Sequence, residues 1–282
     1  MLTNSQLNDA SNGAEDAVAK AFSASALTYC QQARLQRLTG EALVRSLVQR
    51  PKVESTSAEQ SVLWGIDLGC GPGLFNNELT QQCDQLISVD FSHNMLLANG
   101  NQHSRLQSDG HQLALKGESV DWLYSNLMMQ WCDAKQILQE VYRVLKPGGT
   151  AVVSTLLPGS LFELEQAWKP VNSDQHIHQY QNLNYIKYSL ENIAPKQFKW
   201  QHQEMVLWYP SALALAKELK SLGANYVNQR ENKGLVGKGH WKAMEQEYRR
   251  RFYCEKRQGV SATYEVLLIT INKTTMKLEV TD

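Results

Sequence analysis

The stretch that decides the fold is IDLGCGPG, which runs from Ile66 to Gly73. It follows the short apolar run VLWGIDL (62–68) and precedes LFNNELTQQ, a segment with helical character. Gly69, Gly71 and Gly73 let the backbone turn tightly and approach a ligand, because they carry no Cβ atom. The stretch therefore predicts a strand, a glycine-rich turn and a helix.

Strands and helices continue to alternate downstream of this turn. LISVDF (86–91), VDWLYSNL (120–127) and TAVVSTL (150–156) have the composition of buried strands. DAKQILQEVYRVL (133–145) is an amphipathic helix that stops at the proline and glycines of KPGG. Alternation of this kind predicts an α/β fold with a mostly parallel sheet and helices on both faces.

The predicted domain organisation has five parts. They are a disordered N-terminus (1–16), N-terminal helices with a polar linker (17–61), a ligand-binding core (62–157), an inserted helical lid (158–203) and a C-terminal part of the core sheet (204–282). The insert follows the carboxyl end of a strand, which is where open α/β sheets bind ligands. A plain structural elaboration explains the insert about as well as a lid does.

Composition excludes several classes of function. Lys plus Arg equals Asp plus Glu, with 28 residues each, so no overall field directs the chain to nucleic acid or to a membrane. The five cysteines are scattered and form no C-x-x-C pair, which argues against a disulfide framework or a metal site and favours a reducing compartment. The N-terminus has no apolar signal region and no apolar run approaches about 20 residues. We expect a cytoplasmic protein.

The residues around the glycine turn predict the cofactor. A dinucleotide fingerprint would need glycine where Leu74 stands, and Pro72 removes a backbone donor that a pyrophosphate could use. Asp90, at the end of the second strand, could accept hydrogen bonds from both hydroxyls of a ribose. Asp109 could accept from an adenine amino group, and Asp67 could face a sulfonium or ammonium. S-adenosylmethionine fits this set, although each aspartate alone is as easily a turn or cap residue.

Three motifs carry a resemblance. DLGCGPG, VDFSHNML and LKPGG are similar to motifs of class I S-adenosylmethionine methyltransferases, whose fold is Rossmann-like, over residues 62–156. The resemblance implies that the glycine turn holds the methionine part, Asp90 the ribose and Asp109 the adenine. It also implies that Met95 packs on the adenine, although ordinary helix packing explains that residue equally well. We include Asn126 among the expected cofactor-binding residues.

The loop SNLMMQWC (125–132) bears on the methyl acceptor. It lacks the Asn/Asp-Pro-Pro-aromatic pattern of amino-group methyltransferases of nucleic acids, and its polar members Asn126 and Gln130 cannot accept a proton near neutral pH. A carboxylate acceptor, with a pKa of about 4, is already ionised and needs no base. Leu127, Met128 and Trp131 would then align the acceptor and exclude water, although burial of a strand end is equally plausible.

Other acceptors stay open. A carbon or phenol acceptor usually needs a base, and His176, His178 or His202 could supply one from the second half of the chain. Methylation of another small acid or a quinone-like carbon is therefore an alternative. A non-catalytic regulator that binds S-adenosylmethionine is an alternative of another class.

A closer resemblance spans most of the chain. The segments that carry it are AFSASALTYCQQARLQR (21–37), SNLMMQWC, STLLPGSLFELEQAW (154–168) and LKSLGA (219–224). Together they are similar to the malonyl-acyl-carrier-protein O-methyltransferases of biotin synthesis. The resemblance implies methyl transfer to the free carboxylate of a malonyl thioester. The resulting methyl ester removes the negative charge of the carboxylate, so that fatty-acid enzymes can extend the chain toward a pimeloyl thioester.

The same resemblance suggests residues that position the substrate. Arg37 and Lys220 match basic positions of the family, Tyr29 could hydrogen-bond a carboxylate, and Trp131 lies in the acceptor loop. Surface salt bridges and a half-buried aromatic are the ordinary explanations. The segment EYRRRFYCEKRQG (247–259) is a possible landing surface for an acidic acyl carrier protein, or a solvated helix face. We name it the basic patch and define it as Arg249, Arg250, Arg251, Lys256 and Arg257.

Overall fold

The computed structural model describes residues 32–50, 62–100, 103–224 and 237–274. These residues fall into two compact units. The sheet unit comprises Arg34–Thr155, Gln181–His202 and the residues from Leu267 onward, and the helical unit contains Leu156–Tyr180 and Gln203–Val266. The segment 1–16, expected to be disordered, and the predicted linker 50–61 apart from Arg50 lie outside the described residues.

Eight strands within the described ranges form one sheet. They are β1 (Trp64–Leu68), β2 (Gln85–Asp90), β3 (Ser104–Gln107), β4 (Val120–Ser125), β5 (Leu145–Leu156), β6 (Phe198–Tyr209), β7 (Tyr253–Cys254) and β8 (Gly259–Asn272). Their order is β3-β2-β1-β4-β5-β8-β6, with β7 paired to β8. The pairs among β1 to β5 are parallel, so their carboxyl ends share one edge. The chain reverses its direction of progress across the sheet between β1 and β4, which is where such sheets bind ligands.

Helices connect the strands. They are α1 (Arg34–Val48), α2 (Asn76–Thr80), α3 (His93–Ala98), α4 (Ala134–Val144), α5 (Phe162–Trp168), α6 (Leu183–Ile193), α7 (Ala212–Ser221) and α8 (Lys238–Phe252). Ser92, Asp133, Asn182 and Ser211 each cap a helix by accepting from the backbone N–H three residues later. Among the described helices, none is both long and apolar enough to cross a membrane.

The core of the sheet unit fixes α1 in place. Leu43 and Leu47 of α1 pack in one buried cluster with Phe75 and Trp122. The Trp122 ring occupies the space where a Cβ of Gly65 would stand, and its Nε1 donates to the Gln82 carbonyl at 2.9 Å. The predicted α/β fold, with its mostly parallel sheet and N-terminal helix, is confirmed.

The two units divide the chain differently from the predicted domains. Residues 181–202, expected in the lid, belong to the sheet unit because α6 is tied to the start of α4. The Tyr185 hydroxyl donates to Asp133 Oδ2 at 3.0 Å, and Gln181 Nε2 donates to the Cys132 carbonyl at 3.1 Å. Most of 203–266, expected in the core sheet, joins 156–180 in the helical unit, whereas β6 and β8 contribute to both units along their length.

Candidate functional site

The glycine turn follows β1 at the carboxyl edge of the sheet. The backbone N–H of Gly69 donates to the Val89 carbonyl of β2 at 2.8 Å, and all three predicted glycines have positive φ. A Cβ on Gly69 would lie 2.4 Å from Cγ of Met128, so no larger residue fits there. A Cβ on Gly71, at φ 52°, would meet nothing within 4 Å, so this peptide is open to a ligand.

Asp90 braces the turn. Its Oδ2 accepts from the Gly71 N–H at 2.9 Å and its Oδ1 accepts from the Ser92 N–H at 2.8 Å. Each carboxylate oxygen has a further lone pair, so ribose hydroxyls could still donate to it. Burial raises the pKa of Asp90, although both backbone hydrogen bonds act in the opposite direction. The residue predicted to bind ribose therefore also shapes the loop.

Asp67, on β1, is 3% exposed. Within the described residues its carboxylate receives no hydrogen bond and neither it nor Asp90 forms a salt bridge. Burial, and then the neighbouring Asp90 carboxylate, raises the pKa of Asp67 to about 8. A buried acid close to a second, partly buried acid favours a positively charged ligand, because such a ligand would restore the ionised forms of both. The residues present thus fit the sulfonium and ammonium of S-adenosylmethionine.

Asp109 lies in the loop after β3, beside a histidine that the sequence analysis did not single out. Asp109 Oδ1 accepts from both the backbone N–H and Nδ1 of His111, each at 2.8 Å. His111 Nε2 accepts from the Asp133 N–H at 3.1 Å, which assigns the proton to Nδ1. His111 thereby joins this loop to the start of α4. Asp109 Oδ2 makes no hydrogen bond within the described chain, so its predicted contact with an adenine amino group stays open.

Asn126 and Met95 have other partners in this structure. Asn126 Nδ2 donates to the Gln36 carbonyl at 2.8 Å, and its Oδ1 accepts from Thr39 Oγ1 at 2.8 Å and from Ser154 Oγ at 2.7 Å. These contacts make Asn126 a tether between α1 and β5 and leave one amide hydrogen for a cofactor. Met95 is 1% exposed inside α3, as ordinary helix packing requires. Cofactor binding by either residue stays a prediction.

The loop after β4 is held in an unusual backbone conformation. Leu127 has φ 52°, which costs a non-glycine residue about 1–3 kcal/mol. Its N–H donates to Ser154 Oγ at 2.9 Å, and its carbonyl accepts from Gln130 Nε2 at 2.6 Å. The turn directs the next residue, Met128, to the glycine turn, where its Cγ lies close to Gly69. The loop SNLMMQWC, whose apolar residues are expected to align the acceptor, is therefore held in place by hydrogen bonds.

The predicted positioning residues are spread over the chain. Trp131 is partly buried and ends the 3₁₀ turn Met129–Trp131. Arg37 is exposed on α1 of the sheet unit, and Lys220 is exposed on α7 of the helical unit. Tyr29 lies outside the described residues. A role in binding the substrate carboxylate stays a prediction for all four.

The three histidines proposed as alternative bases also differ in place. The His176 ring stacks on Trp168 at 3.8 Å, and its Nε2 is 2.6 Å from Asn172 Oδ1. His178 contacts the Tyr180 ring edge-on, also in the helical unit. His202 lies on β6 in the sheet unit. His176 and His178 therefore line one cavity of the helical unit, whereas His202 belongs to the sheet unit.

Comparison with known proteins identifies the family. A model described as a methyltransferase domain matches residues 66–153. A malonyl-[acyl-carrier protein] O-methyltransferase of Hahella chejuensis is 33% identical over 275 residues, which are 94% of each chain. This chain belongs to the malonyl-[acyl-carrier protein] O-methyltransferase family. The resemblance found in the sequence is confirmed, and the match of the methyltransferase domain to the glycine turn supports S-adenosylmethionine as the cofactor.

Other family relatives are longer proteins. The biotin biosynthesis bifunctional protein BioHC of Cellvibrio japonicus is 31% identical over 261 residues, which are 91% of this chain and 50% of that protein. The chain thus spans about half the length of such relatives. Among solved structures, a Bacillus halodurans protein described as a methyltransferase superposes with a TM-score of 0.53 at 16% identity, over 82% of this chain and 99% of that chain. This similarity shows the fold.

Proposed function

We propose that this protein transfers a methyl group from S-adenosylmethionine to the free carboxylate of a malonyl thioester on acyl carrier protein, as a step in biotin synthesis. The observation that carries the proposal is that the buried Asp67 and the partly buried Asp90 lie close together, with no salt bridge to either among the described residues, beside a loop that contributes no base. The acids suit a cationic methyl donor, and the loop suits an acceptor that is already ionised. The identity of the acceptor comes from the names of relatives that this chain matches over most of their length, such as the Hahella chejuensis protein.

The chain's residues bind and position rather than exchange protons. When bound, the cofactor supplies an electrophilic methyl on sulfur. Asp67 and Asp90 favour its positive charge, and the open peptide of Gly71 lets it approach the backbone. Leu127 and Met128 exclude water, which leaves an acceptor carboxylate poorly solvated and therefore more reactive.

The basic patch supports an acidic macromolecular partner. All five of its residues are exposed, at the last turn of α8 and the 3₁₀ turn that follows. Glu247 pairs with Arg250 and Arg251. Arg249 lies 4.1 Å from the centre of the Tyr253 ring, and it forms no salt bridge within the described residues. Lys256 and Arg257 likewise lack a carboxylate partner there, so three cations are available to an acyl carrier protein.

Intact-mass analysis tests the proposal. Malonyl-acyl carrier protein is incubated with the enzyme and S-adenosylmethionine, and acetyl-acyl carrier protein serves as the control because it lacks the free carboxylate. We expect the mass of one methyl group to be added to the malonyl form alone. Cofactor binding without methylation of the malonyl form would reject this acceptor and direct the search to acids or carbons served by His176 or His202. The cytoplasmic location is part of the same proposal.

A further inference from the structure

The helical unit contains a cavity whose lining includes none of the residues assigned above to the cofactor or to the malonyl acceptor. Its volume is about 580 Å³, within the range of about 300–1,000 Å³ typical of small-molecule sites. Helix α5 and the segment 169–180 that follows it form the walls. We define this space as the α5 cavity.

One wall of the α5 cavity is a fixed aromatic surface. The rings of Trp168 and His176 stack at 3.8 Å with an angle of 8° between their planes. The short contact of His176 Nε2 with Asn172 Oδ1 holds this stack, and Trp241 of α8 meets Trp168 edge-on at 6.1 Å. A wall built in this way is rigid before any ligand arrives.

The remaining lining is polar, and its charged members are Glu165, Lys169 and Asp174. Asn172, Ser173, Gln175 and Gln179 contribute amides and a hydroxyl. Lys169 pairs with Glu165 at 3.5 Å, which reduces its field. The neutral donors and acceptors beside a flat aromatic wall suit an uncharged chain that carries amide groups.

Helix α8 connects this cavity to the basic patch within the helical unit. Trp241, near the start of α8, contacts the cavity wall, and Arg251 stands in its last turn. Ten residues separate the two positions, which at 1.5 Å per residue is about 15 Å. The packing of Phe252 on Phe162 of α5, at 5.8 Å between ring centres, fixes the other end of the helix against the same wall.

We propose that the α5 cavity binds the pantetheine arm of the carrier protein. Beyond the phosphate that joins it to the carrier protein, the arm is a long, uncharged chain with two amides and a pair of methyl groups, and it separates the carrier protein from its acyl group. A carrier seated on the basic patch would need an arm of this kind to reach the cavity, where the side-chain amides pair with those of the arm and its methyls pack on the His176 ring that covers Trp168. The identity of the carrier rests on the proposed function.

The test compares binding of apo- and holo-acyl carrier protein, which differ only in the arm. Gln179 and Ser173 are exposed residues of the cavity lining, so Gln179→Trp and Ser173→Trp fill the space with little risk to the fold. The control is Leu213→Trp, which places the same side chain on a 42% exposed position of α7 outside the lining. Dissociation constants are measured by calorimetry without any methyl transfer.

We expect wild type and Leu213→Trp to bind holo-carrier at least tenfold more tightly than apo-carrier. Both cavity variants should bind the two forms equally, with the affinity for apo-carrier unchanged. Equal binding of the two forms by wild type, or a preserved preference in both cavity variants, would overturn the proposal. The binding assay needs no chemistry, so it is independent of the methylation assay. If the cavity variants lose the preference for holo-carrier but the wild type does not methylate malonyl-carrier, the α5 cavity proposal stands and only the proposed function is rejected.

Discussion

Two buried acids of the helical unit and one of the sheet unit, Asp67, have opposite surroundings. In the helical unit Glu163, 1% exposed, accepts from the Thr263 N–H at 2.9 Å and from Thr263 Oγ1 at 2.7 Å, and Glu218 accepts from the Tyr209 hydroxyl at 2.8 Å. In the sheet unit, Asp67 is as deeply buried but receives no hydrogen bond from the described residues. The comparison distinguishes Glu163 and Glu218, whose hydrogen bonds are supplied by the fold, from Asp67, which is available to a ligand. A buried charge without a partner is costly, so we expect a ligand to supply the partner of Asp67.

The largest expected effect is on Asp90. Asp90→Ala removes the acceptor proposed for two ribose hydroxyls and the brace between Gly71 and Ser92. Hydrogen bonds to a charged group contribute about 1.5–3 kcal/mol each, so cofactor affinity should fall at least about 100-fold. Calorimetric titration with S-adenosylmethionine measures the effect, and circular dichroism checks the fold. Affinity equal to wild type would reject the assignment of ribose binding.

In the absence of cofactor, Asp67→Asn should raise the free energy of unfolding of the protein. Because the folded pKa of about 8 lies above the unfolded value of 3.8, the folded state binds more protons than the unfolded state between these pH values. Stability contributed by this group therefore falls as pH rises from about 4 to 8, by an amount on the order of a few kcal/mol. Urea unfolding of both proteins at pH 5 and pH 8 tests this. The advantage of the variant should be larger at pH 8, and a difference independent of pH would contradict the raised pKa.

The matched substitution in the helical unit should act on stability alone. Glu163→Ala leaves the buried N–H and hydroxyl of Thr263 without their acceptor, which costs about 1–3 kcal/mol. Urea unfolding at pH 7 should show this loss, and titration should show wild-type affinity for S-adenosylmethionine. A change in cofactor affinity comparable with that of Asp90→Ala would remove the distinction between the two kinds of acid.

The smallest effect is expected at the basic patch. Reversing the charge of Arg249, Lys256 and Arg257 should raise KM for malonyl-carrier about tenfold at low salt, because exposed charges act mainly on encounter. The value of kcat, the affinity for S-adenosylmethionine and KM for malonyl-coenzyme A should stay unchanged. Equal effects on the two thioesters would indicate that the patch does not recognise the carrier protein.

The sequence predicts features that depend on near neighbours in the chain. The glycine turn and the position of Asp90 at a strand end follow from local pattern, and the structure shows both. The tether at Asn126 and the left-handed turn at Leu127 depend on Thr39, 87 residues away, and on Ser154. No local pattern encodes such contacts.

The domain boundaries were less predictable for the same reason. The sequence predicts residues 181–202 to be part of the insert. A hydrogen bond between Tyr185 and Asp133, which are 52 residues apart, instead ties them to the sheet unit. The role of His111 could not be predicted from the sequence, because its hydrogen bond to the start of α4 forms only where two loops meet in the fold. A histidine between polar residues in a loop has the same sequence signature whether or not it has such a role.

The most direct test of the contrast between the acids is the number of protons released when S-adenosylmethionine binds. Calorimetric titrations at pH 7 in buffers of different ionisation enthalpy give this number. With a pKa of about 8, Asp67 is mostly protonated before binding, and a cationic ligand should ionise it. We predict release of close to one proton by the wild type and close to none by Asp67→Asn. Equal proton release by the two proteins would contradict the assignment of Asp67 as the acid that ionises when the cofactor binds.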